Sequence, residues 1–325
     1  MGYIPPFTIT NKMLEYVSSI MENIGEMNSY QSLSKMPILR KNNRIRSIHS
    51  SLAIEANSLS LGQVQDIINE KVVIGPKKEI EEVKNANRAY GMMEQVNPYS
   101  ITDLKKVHKE MMSLLIENPG EYRLGREGVF DGEKCIFMAP GPDMISSLMN
   151  DLFSWMEQNK EKLSPLILSS VFHYEFVFIH PFLDGNGRMA RLWQTVILGH
   201  WKDIFYYMPI ETQIKKYQEE YYQVIDTCNH LGNSTLFVEF MLHMIDESLK
   251  EIISQSNVDV INQNVRELLD AMMDIPMTSR EIMVRLGIKS KETFRNSYLN
   301  PAMEIGLVKM TIPDKPTSKN QKYYK

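Results

Sequence analysis

Apolar residues recur with a helical period along most of the chain. Behind Arg188 they form one continuous helix face, at positions 189, 192, 193, 196 and 197. The same spacing predicts eight amphipathic or buried helices, at 12–23, 42–56, 61–70, 78–94, 101–115, 144–158, 165–179 and 189–201. Capping residues precede some of them, including Ser100 and Ser164, the latter directly before Pro165. The chain is therefore predicted to be mostly α.

One segment breaks the helical pattern. In 128–142, GVFDGEKCIFMAPGP, two short β-prone runs flank Asp131-Gly132, a pair typical of hairpin turns. The sequence predicts a small β-hairpin here.

A polar stretch at 254–259, SQSNVD, predicts a junction between two domains, 1–255 and 260–325. Beyond it the pattern predicts a helix at 265–274, a second one capped by Thr278 and ended by Gly287, and a third from Ser290 to about 305, stopped by Gly306. Two strands should follow, at 307–312 and 321–324. Three helices and a hairpin describe a winged helix.

The composition of the chain argues against several classes of protein. The 325 residues carry 36 Lys and Arg against 40 Asp and Glu, a balance that argues against a chain that coats nucleic acid or an anionic membrane. The two cysteines, far apart, indicate neither a disulfide framework nor a thiolate zinc site. No signal peptide or membrane-spanning run is evident, so the expected compartment is the cytoplasm.

The segment 180–191, HPFLDGNGRMAR, lies between a nearly all-apolar predicted helix and the helix that begins near Arg188. Gly185 and Gly187 leave the backbone free to direct successive N–H groups toward one point at a helix start. Such a geometry binds anions, phosphate above all.

The side chains of this segment suit phosphoryl chemistry. Asp184 is an oxygen ligand for Mg²⁺, and Arg188 and Arg191 can hold polyphosphate oxygens from one side of the first helical turn. Asn186 can donate its amide hydrogen to an α-phosphate. His180 is the nearby group that accepts a proton near neutral pH.

Three other interpretations compete. The Asp-Gly and Asn-Gly pairs could be plain turns, although both flanks have helical periodicity. GNGRMA also matches the dinucleotide fingerprint G-x-G-x-x-A, but the βαβ units that this motif requires are not found. Arg188 and Arg191 could be ordinary surface charges, which the neighbouring Asp184 and glycines disfavour.

The whole string resembles the signature of the Fic family, H-x-F-x-D/E-G-N-G-R-x-x-R, at every specified position. The resemblance covers most of 40–245 and implies a Fic-type helical core, in which 123–142 is the flap hairpin that docks the target segment by strand addition. It implies transfer of AMP from ATP, with Mg²⁺, to a Ser, Thr or Tyr hydroxyl of a target protein, which can be the chain itself.

The resemblance also implies a role for each matching residue. His180 would be the base, Asp184 the Mg²⁺ ligand, Gly185, Asn186 and Gly187 the anion hole, Arg188 the β-phosphate ligand and Arg191 the γ-phosphate ligand. Tyr221 and Tyr222 are further candidates for nucleotide contact, against an alternative in which they belong to the core. The phosphate-reading motif leaves other donors open, namely UTP, GTP and CDP-choline.

SLAIEAN at 51–57 resembles the inhibitory motif S/T-x-x-x-E-G/N of Fic proteins whose inhibitory helix precedes the core, here placed at about 42–57. Glu55 would then pair with Arg191 and block the γ-phosphate position. Ala56 departs from the Gly or Asn of the pattern, and an ordinary surface glutamate is the alternative.

From residue 277 onward, ten basic residues oppose four acidic ones. Lys291, Arg295 and Asn296 would lie on the recognition helix of a winged helix, which suits contacts to DNA phosphates. Protein docking or dimerisation is the alternative, so DNA binding and a homodimer both stay open. The rival to an enzyme is a DNA-binding regulator that only senses nucleotide through its Fic-like part.

Overall fold

A computed structural model of the chain describes residues 3–29, 37–131, 134–273, 275–304, 306–313, 315–316, 318–319 and 321–325. It divides into two compact units, Met1–Lys250 and Glu251–Lys325. The predicted junction at 254–259 is helical, and the division falls just before it.

The first unit is built from helices, and all eight predicted ones are present with small shifts at their ends. Its helices are α1 (Asn11–Ser29), α2 (Pro37–Ile54), α3 (Leu61–Ile68), α4 (Lys77–Gly91), α5 (Ile101–Met111), α6 (Pro142–Asn159), α7 (Pro165–Ile179), α8 (Asn186–Trp201), α9 (Ile210–Lys216) and α10 (Gln218–Leu231). α11 (Thr235–Ala271) begins in this unit, and its residues beyond Lys250 belong to the second one. Single 3₁₀ turns lie at Met93–Gln95 and Asp203–Tyr207.

At the centre of this unit α7 and α8 pack against each other. Nearly every side chain of α7 is buried, as its nearly all-apolar sequence predicts. α8 starts at Asn186, earlier than its apolar period indicates, because Gly185 takes the N-cap position.

Of the two helix N-caps predicted at Ser100 and Ser164, one is confirmed and one is wrong. Ser100 accepts a hydrogen bond from the Asp103 N–H, as expected. Ser164 occupies the N-cap position of α7, but its side chain makes no capping bond there, so that prediction is wrong. Pro165, at the start of the helix, has the fixed φ that a helix start requires.

The predicted hairpin is present as antiparallel strands β1 (Gly128–Asp131) and β2 (Lys134–Met138). Gly128 pairs with Met138, and the register shifts between Val129 and Phe130, which marks a bulge. The predicted turn residue Gly132 lies outside the described residues.

The second unit holds α12 (Ser279–Leu286), then α13 (Lys291–Phe294), a π turn (Arg295–Leu299) and α14 (Asn300–Glu304), and the strand pair β3 (Lys309–Met310) and β4 (Tyr323–Tyr324). The predicted caps are confirmed. Thr278 forms a capping box with Glu281, and Ser290 caps α13. The strands are shorter than predicted, and Ile305, the expected helix end, lies outside the described residues.

This unit has its own core, in which Leu268, Ile282, Phe294 and Val308 are buried together. Across the described part of the chain, no helix combines the length and apolarity needed to span a bilayer.

Candidate active site at the corner between α7 and α8

α7 ends in an unusual backbone conformation. His180 is left-handed, with φ 51° and ψ 58°, and its N–H donates to Phe176 O at 3.0 Å. Residues with a Cβ avoid this region, at a cost of about 1 kcal/mol or more. The conformation ends α7, and the His180 side chain lines a cavity.

The His180 imidazole is half-buried. Burial lowers its pKa, a hydrogen bond to Val177 O acts in the opposite direction, and the nearby charge of Arg123 lowers it further. Its Nδ1 lies 3.4 Å from Val177 O. A ring with a lowered pKa is neutral at pH 7 and can accept a proton.

Asn186 closes the loop on itself. Its side chain accepts from the Phe182 N–H at 2.9 Å and donates to Phe182 O at 2.8 Å, and it is buried. The expected donation from this amide to an α-phosphate therefore meets a competing structural role. The backbone N–H of Asn186, at the first position of α8, has no acceptor within the helix.

His108 holds the loop from α5. Its ring stacks on Phe182 with centroids 3.6 Å apart, Gly120 N–H donates to Nδ1, and Nε2 donates to Asp184 O at 2.9 Å. Burial lowers its pKa to about 4, so the ring is neutral. The sequence does not reveal this role, because nothing in the local pattern of α5 distinguishes a loop-supporting histidine from any other buried one.

The start of α8 combines a left-handed glycine with amides that lack helical acceptors. Gly185 has φ 83°, and the first bond inside the helix joins Met189 N–H to Gly185 O. The N–H groups of Asn186, Gly187 and Arg188 precede that bond, so they are available to an anion.

Arg188 is buried and lies between two carboxylates. Its Nη2 donates to Asp184 Oδ1 at 2.9 Å, and its Nη1 lies 3.7 Å from Glu82 Oε1. Asp184 Oδ1 also accepts from Gly185 N–H, while its side chain is 46% exposed. Glu82, on α4, is a partner that sequence analysis missed.

Arg191 is also buried, and its partners lie at the end of α2. Nη2 donates to Glu55 Oε1 at 2.7 Å and to Ser51 O at 3.0 Å, and Nε donates to Ser51 Oγ at 3.1 Å. Burial lowers the pKa of Arg191, but the charge of Glu55, aided by neighbouring groups, outweighs this effect and raises it overall. The guanidinium is thus charged and directed at Glu55.

The Glu55 carboxylate lies directly against Gly187. A Cβ placed on Gly187 would overlap Glu55 Oε1 and would come within 3.2 Å of Arg191 Nη1. A carboxylate therefore occupies the anion position at the start of α8.

A left-handed turn presents this carboxylate. Ala56 has φ 65°, its N–H donates to Ala53 O, and Asn57 N–H donates to Leu52 O at 3.1 Å, which is the Schellman pattern. Asn57 Nδ2 then donates to Glu82 Oε2 at 2.8 Å. Glu82 thus contacts both the turn behind Glu55 and Arg188.

A cavity of about 660 Å³ opens beside these groups. Its walls include Glu55, His180, Gly187 and Arg191, and it extends along α10 past Tyr221 and Tyr222.

The two predicted tyrosines differ. Tyr222 is 46% exposed at the cavity, whereas Tyr221 is buried, and its hydroxyl donates to His173 Nε2 at 2.9 Å. His173 in turn donates through Nδ1 to Gln194 Oε1 at 2.6 Å, and burial lowers its pKa to about 3. Tyr221 therefore belongs to a buried network as well as to the cavity wall.

Within the described residues, no group of three or more His, Cys, Asp or Glu side chains could hold a metal by itself. Asp184 offers one half-exposed carboxylate at the start of α8. One carboxylate combined with substrate phosphates is the usual arrangement for Mg²⁺, so the residues present fit a metal that is bound together with a nucleotide.

Two sequence models match the chain. The Fic/DOC family model covers residues 98–198, and that of the Filamentation induced by cAMP protein Fic-like, C-terminal domain, covers 263–324.

A solved structure, a Fic family protein from Desulfovibrio desulfuricans G20, is 43% identical and superposes with a TM-score of 0.74. The match covers 99% of this chain and 98% of that one.

The chain also matches curated relatives named Protein adenylyltransferase Fic, of which two illustrate the similarity. The one from Nematostella vectensis is 26% identical over 69% of this chain, and the one from Aedes aegypti is 29% identical over 63%. These matches span 52% and 41% of the relatives, so the chain accounts for about half their length or less.

Proposed function

The chain belongs to the Fic family, and from that premise we propose that it is a protein adenylyltransferase, which transfers AMP from ATP to a hydroxyl side chain of a target protein. The observation that carries the proposal is the meeting of His180, the start of α8 at Gly187 and the Arg191 guanidinium in the wall of one cavity. A base, an amide-lined anion site and a buried cation are what this transfer requires.

His180 is the general base. It takes the proton of the target hydroxyl as the oxygen attacks the α-phosphorus and the bond to the β-phosphate breaks, which releases pyrophosphate. Burial keeps the ring neutral before the reaction, and a base in this position typically contributes 10²–10⁴-fold to the rate.

The phosphates bind along the start of α8. The N–H groups of 186–188 receive oxygens of the α- and β-phosphates, Arg188 pairs with the β-phosphate and Arg191 with the γ-phosphate. Asp184 would hold the Mg²⁺ that accompanies ATP, and when bound this ion neutralises phosphate charge. Arg188 pairs with Asp184 Oδ1 at 2.9 Å, so a metal at Asp184 would share this carboxylate with the arginine.

Glu55 is the built-in brake of the reaction. It holds Arg191, the γ-phosphate ligand, and its carboxylate lies at Gly187, where an anionic phosphate would approach. The negative charges of the Glu55 carboxylate and of a phosphate bound beside Gly187 repel each other. ATP therefore binds in a non-productive position until Glu55 withdraws.

The cavity along α10 accommodates the nucleoside, and Tyr222, the exposed tyrosine of the pair, contacts it. The phosphate-binding groups do not read the base, so the alternative donors UTP, GTP and CDP-choline are separate arms of the test.

The test is intact-mass spectrometry of Glu55→Gly protein incubated with Mg²⁺ and each donor. We expect an added mass of one AMP residue with ATP, and no addition with Glu55→Gly/His180→Ala. Wild-type protein should show much less modification. An adduct that persists without His180 would contradict its role as base, and no adduct from any donor on the chain or on added lysate proteins would contradict the transferase.

A second candidate function rests on the basic surface of the C-terminal unit, the predicted winged helix. Lys291, Arg295 and Asn296 are exposed on the segment that follows Ser290, and Lys309 and Lys322 are exposed at the strand pair. Such a surface suits the phosphates of duplex DNA. Fluorescence anisotropy with a labelled duplex tests this, and Lys291→Glu/Arg295→Glu should abolish a salt-dependent signal. A regulator that only senses nucleotide would keep this binding and lack transfer activity.

A further inference from the structure

Arg123 is a buried cation outside the signature segment. It lies between α5 and β1 and is 4% exposed. Burial lowers its pKa, and the nearby charge of Glu127 acts in the opposite direction. A buried charge is costly unless it is well hydrogen-bonded, and the hydrogen bonds that Arg123 makes go to backbone carbonyls.

The first set of these bonds fixes the end of α7. Nε donates to His180 O at 2.7 Å, Nη2 approaches Ile179 O at 3.4 Å, and the Arg123 N–H donates to Pro181 O at 2.9 Å. One residue therefore holds the carbonyls of three consecutive residues around His180. Carbonyls at a helix end lack partners within the helix, and a cationic donor suits them best.

The second set fixes the base of the β1–β2 hairpin. Nη1 donates to Gly125 O at 2.6 Å, and Nη2 donates to Pro140 O at 2.6 Å. Gly125 precedes the hairpin and Pro140 follows it, so both of its ends are tied to the same guanidinium. Only the planar five-donor fork of arginine reaches these directions at once, which a lysine cannot do.

We propose that Arg123 is a positioning residue that holds His180 in its left-handed conformation and anchors the hairpin to the same point. This inference rests on the proposed function, because it assumes that His180 receives the proton of a hydroxyl presented at the hairpin. The residue sets the distance and angle between base and acceptor. A misplacement of about 1 Å costs on the order of 10²-fold in rate.

The same arrangement affects the imidazole. The charged groups that face it are Arg123 and Glu127 at the hairpin base and Glu55 at the end of α2. Arg123 lowers the pKa of His180, whereas the two carboxylates raise it. Loss of the Arg123 charge should therefore raise this pKa, which gives a readout that does not depend on activity.

The experiment uses the full-length Glu55→Gly protein as parent and adds Arg123→Met, Arg123→Lys or Arg126→Met. Arg126 is the matched control, since it lies in the same segment but is exposed. The measurements are kcat, the Kd of ATP, and the pKa of His180 from an NMR titration of its ring C–H. His180→Ala identifies the signal.

For Arg123→Met we expect kcat to fall about tenfold or more, the Kd of ATP to stay within about twofold, and the pKa of His180 to rise. Arg123→Lys should keep the pKa but lose most of kcat, because it retains the charge without the fork. Arg126→Met should match the parent. If Arg123→Met does not fold, the lysine variant alone decides the positioning role.

A kcat of Arg123→Lys equal to that of the parent would overturn the proposal. So would a parallel loss of kcat and ATP affinity, since that would indicate general damage to the site. An inactive parent would count against the proposed transferase. The positioning role would then be judged from the same NMR spectra, in which Arg123→Lys should move the His180 ring C–H signal and Arg126→Met should not, and an unmoved signal in Arg123→Lys would overturn it.

Discussion

Glu55 and Arg191 lie 136 residues apart in the chain, and their side chains meet at 2.7 Å beside Gly187. The arginine side chain is almost fully buried, while the glutamate remains 36% exposed. Solvent therefore reaches the carboxylate, whereas protein encloses the guanidinium. A partly exposed anion on a buried cation is the arrangement that the proposed brake requires.

The turn behind Glu55 should tighten with a glycine. Ala56 occupies a left-handed position that penalises a Cβ, so Ala56→Gly should raise the free energy of unfolding by about 0.5–1 kcal/mol. Better support for Glu55 should also lower the transfer rate below that of the wild type. Denaturant unfolding measures the change in stability, and the adduct assay measures the change in transfer rate.

Ala53→Gly is the matched control, because it makes the same substitution in the last helical turn of α2. There glycine should destabilise by about 1 kcal/mol. If Ala56→Gly lowers the free energy of unfolding as Ala53→Gly does, the left-handed conformation of Ala56 does not destabilise the fold.

Gly187→Ala should reveal the contact with Glu55. The added Cβ overlaps the carboxylate, so the substitution should cost about 1–3 kcal/mol in the wild type. In the Glu55→Gly background most of that cost should vanish, since the remaining neighbour, Arg191 Nη1, is the end of a flexible side chain. A double-mutant cycle of unfolding free energies measures the coupling.

Gly199→Ala serves as the control for that cycle. Its Cβ would collide with the Tyr206 ring, so it should destabilise equally in both backgrounds. Equal costs for Gly187→Ala in the two backgrounds would place Glu55 away from Gly187 in solution.

The pH dependence of transfer follows from the direction of the His180 shift. Only the neutral ring accepts a proton, and burial lowers its pKa. The rate of the Glu55→Gly protein should therefore rise with pH along a limb whose midpoint lies below the ordinary histidine value of about 6.5. A pH–kcat profile measures this, and a midpoint above that value would exclude a buried imidazole as the base.

His173 should make the fold sensitive to acid. Its folded pKa, lowered to about 3 by burial, lies below the unfolded value, so the unfolded state takes up the proton first. The stability contribution is complete above about pH 6.5 and is lost as the pH falls toward about 3. Relative to His173→Gln, the wild type should lose about 2 kcal/mol between pH 7.5 and pH 5.

Tyr221→Phe is the control for this effect. It removes the hydroxyl that donates to His173 but keeps the titrating ring. It should lower stability by about 1 kcal/mol at both pH values and retain the pH dependence. Unfolding curves that show the same pH slope for the wild type and His173→Gln would contradict a neutral buried ring.

The local elements of the fold followed from local patterns. The apolar run of 165–179 predicted α7 to the residue, because a helix buried on all sides needs no polar face. The capping boxes and stop glycines were equally readable, as at Thr278 and Gly287. Ser164 was misjudged because its type suits a cap, whereas the hydrogen bond depends on a backbone geometry that the type does not reveal.

The supporting residues of the site were not readable in this way. His108, Arg123 and Glu82 lie far from the signature segment in sequence, and each has an unremarkable neighbourhood. His108 contacts Asp184 O, Arg123 contacts His180 O, and Glu82 lies beside the Arg188 guanidinium. Asn186 was predicted to contribute to the anion hole, but the bonds of its side-chain amide to Phe182 depend on the folded backbone and could not be predicted from the sequence.

The sequence by itself determined the kinds of chemical group available at this corner and the helices that carry them, since both depend on residue type and on the spacing of near neighbours. The tertiary structure alone decided which distant groups meet there, Glu55 with Arg191, Glu82 with Arg188 and Arg123 with the His180 backbone. The reason is that a buried charge or a strained backbone is stable only beside specific partners, and those partners are brought within hydrogen-bonding distance only when the whole chain packs.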